Sequence, residues 1–158
     1  MLARHVVVTG AVLISLLAGC GGDSPRQVVM EGQSMFPTLS DGDRVDVQEY
    51  GTDTPRRGDV IVFHPRTESG EPSDRLFLKR IIGLPGETIE IRNEVVLVDG
   101  EPLQEPYINE PTAGTFDRFE VPSDEYFVLG DNRNNSSDSR SYLGIPEDYI
   151  VGRAKLSN

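Results

Sequence analysis

The sequence predicts a mainly β protein with few short helices, and three features of the chain carry that prediction. Short runs in which apolar and polar residues alternate recur along the chain, as they do in half-buried strands. Turn-forming residues separate these runs, and the 158 residues include 16 Gly and 11 Pro. The segments with a helical pattern are short. A chain of this length suits one folded domain, so we expect one compact β core.

Strand patterns recur from the region after the N-terminal segment to the end of the chain. We expect strands over residues 45–48, 59–63, 76–82, 88–92, 94–98, 118–121, 126–129 and 151–156. Short helices are expected near residues 38–41 and 146–150. Residues 67–74 and 101–114 are polar and contain Pro or Gly, so they are expected to be surface loops and poor places for catalysis.

The charge balance and the cysteine count exclude several classes of function. The net charge is −11 at pH 7, which opposes binding to nucleic acid. Cys20 is the only cysteine, so the folded body has no disulfide, thiolate metal cluster or thiol nucleophile. No metal and no organic cofactor is indicated.

The first twenty residues are typical of an export signal. Arg4 gives a positive start, and the apolar run 6–18 is interrupted only by Thr9, Gly10 and Ser15. This run of about 13 residues is shorter than the roughly 20 that a spanning helix needs. A cleavable segment therefore fits better than a conventional transmembrane anchor.

The export segment ends in Leu-Ala-Gly-Cys, which resembles the lipobox of bacterial lipoproteins. In those proteins the cysteine is lipidated and becomes the new N-terminus. The alternative is an uncleaved signal anchor, and either one places the body outside the cytoplasm at a membrane surface. The expected organisation is a lipoprotein-type signal or short anchor at 1–20, a tether at 21–27, and a folded domain at 28–158 with a small insertion around 84–120.

Two positions carry candidate catalytic chemistry. Ser34 lies ahead of a turn that Pro37 stiffens, and this geometry can expose a hydroxyl and a backbone N–H together. Within the predicted strand 76–82, alternation puts Lys79 and Arg80 on opposite faces among apolar neighbours. Burial lowers the pKa of a lysine toward neutrality, whereas arginine stays charged. Lys79 is therefore the candidate base for Ser34, whose hydroxyl needs one.

The candidate residues also fit roles that involve no catalysis. A serine between strands is often a turn or cap residue, and cations can extend to water from a strand edge. His64, the other histidine besides His5 of the signal, is a rival base in a Ser-His-Asp arrangement. The polar run 130–140 would by itself be a solvated loop rich in bonds between side chains and backbone.

Four segments, taken in order, resemble the conserved boxes of type I signal peptidases. They are Gly-x-Ser-Met-x-Pro-Thr-Leu at 32–39, and the segments 57–63, 79–87 and 130–140. The resemblance covers roughly residues 28–155. It implies a mostly antiparallel β structure of two joined β regions. It also implies a serine endopeptidase that removes signal peptides from exported preproteins by cutting after small residues, as in Ala-x-Ala.

The same resemblance implies roles for the residues of the reaction itself. Ser34 would attack the scissile carbonyl, Lys79 would act as general base, and Ser136 would orient the lysine ammonium. The Ser34 backbone N–H would hold the oxyanion. Some family members add a hydroxyl two residues earlier, where this chain has Gly32, which has no hydroxyl to donate.

Supporting and substrate-binding roles follow from the resemblance as well. Asp131 and Asn132 would brace the loop around the dyad, and Asp138 would form a structural ion pair with Arg140. The substrate would add as a strand between segments 28–32 and 74–78. The residues expected to bind it, several in shallow pockets for small side chains, are Val28, Met30, Gly32, Met35, Val62, Phe77 and Leu78.

The expected partners are membrane-embedded preproteins and membrane lipid. The chain departs from the family at Asn134, where many relatives carry an acid, and in having a lipobox. Rival functions are a dedicated peptidase for one pilus or conjugation substrate and a non-catalytic peptide-binding lipoprotein. Self-cleaving repressors share a Ser and Lys pair, but the export segment and the acidic balance disfavour a DNA-linked role.

Overall fold

The computed structural model describes residues 26–156, within which the chain forms eleven strands, one α-helix and one 3-10 turn. The strands are β1 (Arg26–Val29), β2 (Arg44–Gln48), β3 (Val60–Phe63), β4 (Phe77–Gly83), β5 (Thr88–Arg92), β6 (Val95–Val98), β7 (Glu101–Pro102), β8 (Phe116–Glu120), β9 (Glu125–Leu129), β10 (Ile145–Pro146) and β11 (Ile150–Lys155). The helix α1 (Ser139–Tyr142) precedes β10, and the 3-10 turn Glu147–Tyr149 precedes β11. The predicted signal segment, with Cys20, lies outside the described residues.

The strands form two antiparallel sheets. One has seven strands in the order β1-β2-β11-β3-β4-β9-β10, and the other has four in the order β7-β6-β5-β8. The smaller sheet leaves the larger one after β4 and returns to it at β9. The predicted class, mainly antiparallel β with two joined β regions, is confirmed.

The eight predicted strands are all present within one or two residues of their expected ends. The strands β7 and β10 have two residues each, too few to show a period of two. Arg26 and Gln27, expected in the tether, belong to β1 and pair with Val47 and Asp46. Backbone pairing with β2 holds them, and this pairing requires no apolar side chain.

The helix predicted near 38–41 is wrong, because that stretch is a series of turns. Pro37 has no N–H to continue a helix, and a single bond from Leu39 N–H to the Met35 carbonyl (2.9 Å) remains. The helix predicted near 146–150 is a 3-10 turn of three residues. Four residues of α1 are too few for a 3.6-residue pattern, so this helix was not predicted.

Apolar packing joins the two sheets. Gly83, at the end of β4, lies so close to the small sheet that a Cβ there would be 2.8 Å from the Ile89 side chain. The side chains buried at this junction are Ile82, Ile89, Ile91, Val96, Val121, Phe127 and Leu129. Burial of each such side chain stabilises the fold by about 1.5–3 kcal/mol. The junction therefore fixes the small sheet relative to β4, the strand that carries Lys79.

Candidate active site

Ser34 lies in the turn that leads from β1 to β2. Phe36 N–H donates to the Gln33 carbonyl at 3.1 Å, and Gly32 N–H donates to the Asp41 carboxylate at 2.7 Å. Gly32 has a φ of 82°, a conformation that other residues adopt only with strain. The Ser34 side chain is held in a fixed place by this turn, and the residue is 8% exposed.

Lys79 lies in the middle of β4 and is 3% exposed. Its Nζ donates to Ser34 Oγ at 2.9 Å and to the Leu78 carbonyl at 2.8 Å. Neither Lys79 nor Arg80 extends to water from a strand edge, because both are buried. The structure thus brings together the predicted nucleophile and base.

Burial controls the charge of Lys79. Removal from water lowers its pKa to about 8, against a smaller opposing effect of the Asp138 and Asp131 carboxylates. A neutral amine is the form that can accept a proton from a serine. Burial therefore increases the fraction of Lys79 that is neutral at a given pH.

His64 lies apart from the pair. Its Nδ1 is 2.7 Å from the Ser73 carbonyl oxygen, and its backbone N–H donates to the Tyr149 carbonyl at 2.9 Å. Its ring is not among the groups that line the cavity beside Ser34. The structure does not bring together Ser34 and the rival base.

Asp131 and Asn132 hold the turn that carries the nucleophile. Asp131, 1% exposed, accepts from the Thr38 hydroxyl of that turn. Asn132 donates its backbone N–H to the Ser34 carbonyl at 3.1 Å and its Nδ2 to the Gln33 carbonyl at 3.0 Å. These contacts link both residues to the turn, and the bracing role stays a prediction.

Arg80 forms a buried ion pair with Asp131 that the sequence did not assign to the site. Its Nε and Nη2 donate to the two Asp131 oxygens at 2.8 and 2.6 Å, and its Nη1 donates to the Gly58 carbonyl at 2.7 Å. Alternation in β4 puts Arg80 opposite Lys79 but does not show whether it is buried. The pair connects the strand of the base to the loop that braces the nucleophile.

Asp138 and Arg140 form the expected ion pair at the start of α1. Arg140 donates through Nε and Nη2 to the two Asp138 oxygens, each at 2.8 Å. Asp138 is fully buried and also accepts from Gly130 N–H at 3.1 Å. The pair ties the end of the catalytic loop, residues 130–140, back to its beginning.

Ser136, predicted to orient the lysine ammonium, lines the cavity beside the dyad and makes no hydrogen bond to Lys79 Nζ in this structure. Its Oγ is buried and has no hydrogen-bond partner among residues 26–156, since Lys79 donates to Ser34 and Leu78 instead. Gly130 accounts for how closely this loop approaches the nucleophile. A Cβ on Gly130 would overlap Ser136 Oγ and lie 2.5 Å from the Ser34 carbonyl oxygen. The polar run gives no sign of this requirement.

A cavity of about 350 Å³ opens beside the dyad. It is lined by Gly32, Gln33, Ser34, Phe77, Lys79, Asn134, Asn135, Ser136, Ser137 and Ser141. Gly32 and Phe77 are thus the predicted substrate-binding residues that face it. The others are buried together in one apolar cluster, namely Val28, Met30, Met35, Val62 and Leu78. In this conformation they support the site from within the core.

Strand edges without a neighbouring strand lie near the dyad. No acceptor within the described part of the chain takes the Ser34 N–H. The pairing of β4 with β9 starts at Arg80, so no strand pairs with Leu78 on that side, although its carbonyl accepts from Lys79 Nζ at 2.8 Å. The N–H and C=O of Ile81 point toward the β3 side of the strand. These groups point to alternate sides in successive residues of a strand, so those of Leu78 point away from β3. β1 is an edge strand as well, paired with β2 alone.

Metal clusters and membrane-spanning helices are both absent from the described part of the chain. In residues 26–156 no cluster of three or more His, Cys, Asp or Glu side chains could hold a metal ion. No helix in the same residues is long and apolar enough to cross a membrane.

Known proteins resemble this chain in sequence and in structure. The model of a family described as "Signal peptidase, peptidase S26" matches residues 3–157. Signal peptidase I of Leptolyngbya laminosa is 46% identical over 127 residues, covering 77% of this chain and 63% of that protein. Probable signal peptidase I-1 of Synechocystis sp. is 42% identical over 149 residues, covering 91% and 75%. The chain thus spans slightly less than two thirds of the Leptolyngbya protein.

A solved structure shares this fold. The crystal structure of a signal peptidase I from Enterococcus faecalis V583 matches with a TM-score of 0.54 and 34% sequence identity. The match covers 64% of this chain and 97% of that one.

Proposed function

The chain belongs to the signal peptidase family, peptidase S26, and we propose that it removes N-terminal signal peptides from exported preproteins with Ser34 as nucleophile and Lys79 as base. The family predicted from four short segments of sequence is confirmed. One observation carries the proposed chemistry: a fully buried lysine Nζ lies 2.9 Å from a serine Oγ. No simple structural role requires a lysine buried beside a serine, since burial of its charge is costly.

The proposed reaction has two halves. Neutral Lys79 takes the proton of Ser34 Oγ while that oxygen bonds to the scissile carbonyl carbon, and the oxyanion accepts from the Ser34 backbone N–H. The ammonium then gives its proton to the leaving amine as the peptide bond breaks. Lys79 next takes a proton from water, which attacks the ester, and returns it to Ser34 as the signal peptide leaves.

We infer that the signal peptide pairs with the open edge of β4 at Leu78 and with the edge of β1. Main-chain bonds of this kind give affinity for any extended peptide. Selection of small residues then depends on limited space, because the apolar cluster around Met35 and Leu78 leaves little room below the surface. A panel of preproteins would show whether the enzyme is general or dedicated to one substrate.

Cleavage is expected to rise with pH through a midpoint near 8, because only the neutral Lys79 can act as base and its pKa is about 8. Below that value kcat/KM should fall about tenfold per pH unit. The measurement is kcat/KM on a membrane-embedded preprotein ending in Ala-x-Ala. The chain has two lysines, Lys79 and Lys155, so ¹³C-lysine labelling gives two side-chain signals to follow. A rate that did not fall below pH 8 would contradict Lys79 as the base.

We propose that Cys20 is lipidated and tethers the catalytic domain to the extracytoplasmic face of a membrane. The basis is the Leu-Ala-Gly-Cys sequence after a short apolar run, and it lies outside the described residues. Cells labelled with a clickable fatty acid should incorporate it into the wild-type protein and not into Cys20→Ser. Equal labelling of the two proteins would contradict lipidation at this cysteine.

A further inference from the structure

Residues 103–113 form a strap that follows β7 and lies against the catalytic loop. Arg133 of that loop has a side chain that is 0% exposed and makes a two-fold ion pair with Glu105 of the strap. Its Nη1 also donates to Thr112 Oγ1 at 3.0 Å, and its Nε donates to the Gly130 carbonyl at 3.0 Å. A cation so deeply buried is stable only when it is fully paired, so the strap is required by the catalytic loop.

Asn134 adds a second attachment of the loop to the strap. Its Oδ1 accepts from Ala113 N–H at 2.9 Å, and its Nδ2 donates to the Pro111 carbonyl at 3.2 Å. An amide makes both bonds, whereas a carboxylate could only accept. The asparagine found here in place of an acid therefore fits the strap of this chain.

Tyr107 extends from the strap to the ion pair next to the dyad. The centre of its ring lies 4.0 Å from the guanidinium carbon of Arg80 and 5.9 Å from that of Arg133. Its hydroxyl donates to Glu105 at 3.1 Å. A guanidinium over an aromatic face is attracted to it, and more strongly when both are removed from water. The ring thus covers the face of the Arg80 guanidinium, whereas Asp131 binds its N–H groups.

We propose that Tyr107 is a positioning residue for the peptidase reaction, acting through Arg80 and Asp131 on the strand of Lys79 and the turn of Ser34. This inference rests on the proposed function. Arg80 follows Lys79 in β4, and Asp131 accepts from Thr38 in the nucleophile turn. The ring holds Arg80 against Asp131, and that pair fixes the distance between nucleophile and base. Small displacements of reacting groups lower rates strongly.

A simpler role for the ring is to fill space, since Tyr107 also packs against the apolar cluster between the sheets. Substitution separates the two roles. Tyr107→Phe retains the ring over Arg80, and Tyr107→Leu retains much of the apolar volume without it. Tyr50 offers a matched control, because it donates to Asp59 at 2.8 Å and lies 5.9 Å from Arg153, away from the dyad.

Kinetics on the Ala-x-Ala preprotein give the first readout. We expect Tyr107→Phe and Tyr50→Leu to stay within about threefold of wild type, and Tyr107→Leu to lower kcat about tenfold or more with KM unchanged within about twofold. All proteins are compared at a temperature where circular dichroism shows them folded. Loss of kcat in Tyr107→Phe equal to that in Tyr107→Leu would overturn the role of the ring, as would an unchanged kcat in Tyr107→Leu.

The ¹³C-lysine signals give a readout that does not need activity. The charged groups around Lys79 are Asp131 and Asp138, paired with Arg80 and Arg140. If the ring positions these charged groups around Lys79, Tyr107→Leu changes the chemical shift of the Lys79 signal and raises its titration midpoint. The signal of exposed Lys155 does not change in Tyr107→Leu, and neither signal changes in Tyr50→Leu. An unmoved Lys79 signal would overturn the inference even if the wild-type protein proved inactive. Inactive wild type with a shifted signal would overturn only the proposed function.

Discussion

Ser34→Ala and Lys79→Ala are each expected to lower the rate of preprotein cleavage by at least about 10³-fold, measured under single-turnover conditions. The first removes the proposed nucleophilic oxygen, and the second removes the amine 2.9 Å away that is proposed to take its proton. Lys79→Arg should be equally inactive, because a guanidinium stays charged and cannot accept a proton.

His64→Ala is the control for these variants. Its ring contacts the Ser73 carbonyl and not the dyad, so activity within about threefold of wild type is expected in the folded protein. The assignment of the base would be wrong if His64→Ala were inactive while Lys79→Ala kept its rate. If all variants matched wild type, the cleavage observed would come from a contaminating enzyme.

Asp131→Ala is expected to lower the free energy of unfolding by about 3–5 kcal/mol, because it leaves the Arg80 guanidinium buried without its carboxylate. Arg80 is 7% exposed and keeps only the Gly58 carbonyl and a long contact with Thr38 as acceptors. Urea unfolding followed by circular dichroism measures the change. Activity should fall with it, since Asp131 also holds the turn of the nucleophile.

The control for this loss of stability is a more exposed pair of the same type. Glu90 lies 3.5 Å from Arg92, whose side chain is 62% exposed, and Glu90→Ala should cost less than about 1 kcal/mol. Replacement of both buried partners, Arg80→Met with Asp131→Leu, should recover part of the stability because no charge is left unpaired. If Asp131→Ala and Glu90→Ala lowered the free energy of unfolding by the same small amount, water would have to reach Arg80 in solution.

Local patterns predicted some parts of the site and missed others. The alternation around Lys79 placed the two cations of β4 on opposite faces, and the four ordered segments indicated the family. The same reasoning assigned 101–114 to loops of no catalytic interest, yet Glu105 and Tyr107 lie against the catalytic loop. A polar loop shows no periodicity, so nothing in the local pattern reveals what it covers.

Contacts close to the dyad illustrate the same limit. Ser136, predicted to orient the ammonium, makes no hydrogen bond to Lys79 in this structure, where Leu78 provides the second acceptor. That acceptor is a backbone carbonyl, and any residue type would supply it. Gly130 is required by close approach of the Ser34 carbonyl, which depends on how two turns meet.

The sequence by itself determined eight of the strands, the short list of chemical groups and the family, because residue type and spacing along the chain are local properties. Only the tertiary structure decided which charges are buried and which meet. Ser34 and Lys79 are 45 residues apart in the chain, yet their side chains are 2.9 Å apart. Burial lowers the pKa of Lys79 and makes the loss of one partner of the Arg80–Asp131 pair costly, and burial is produced by packing of distant segments.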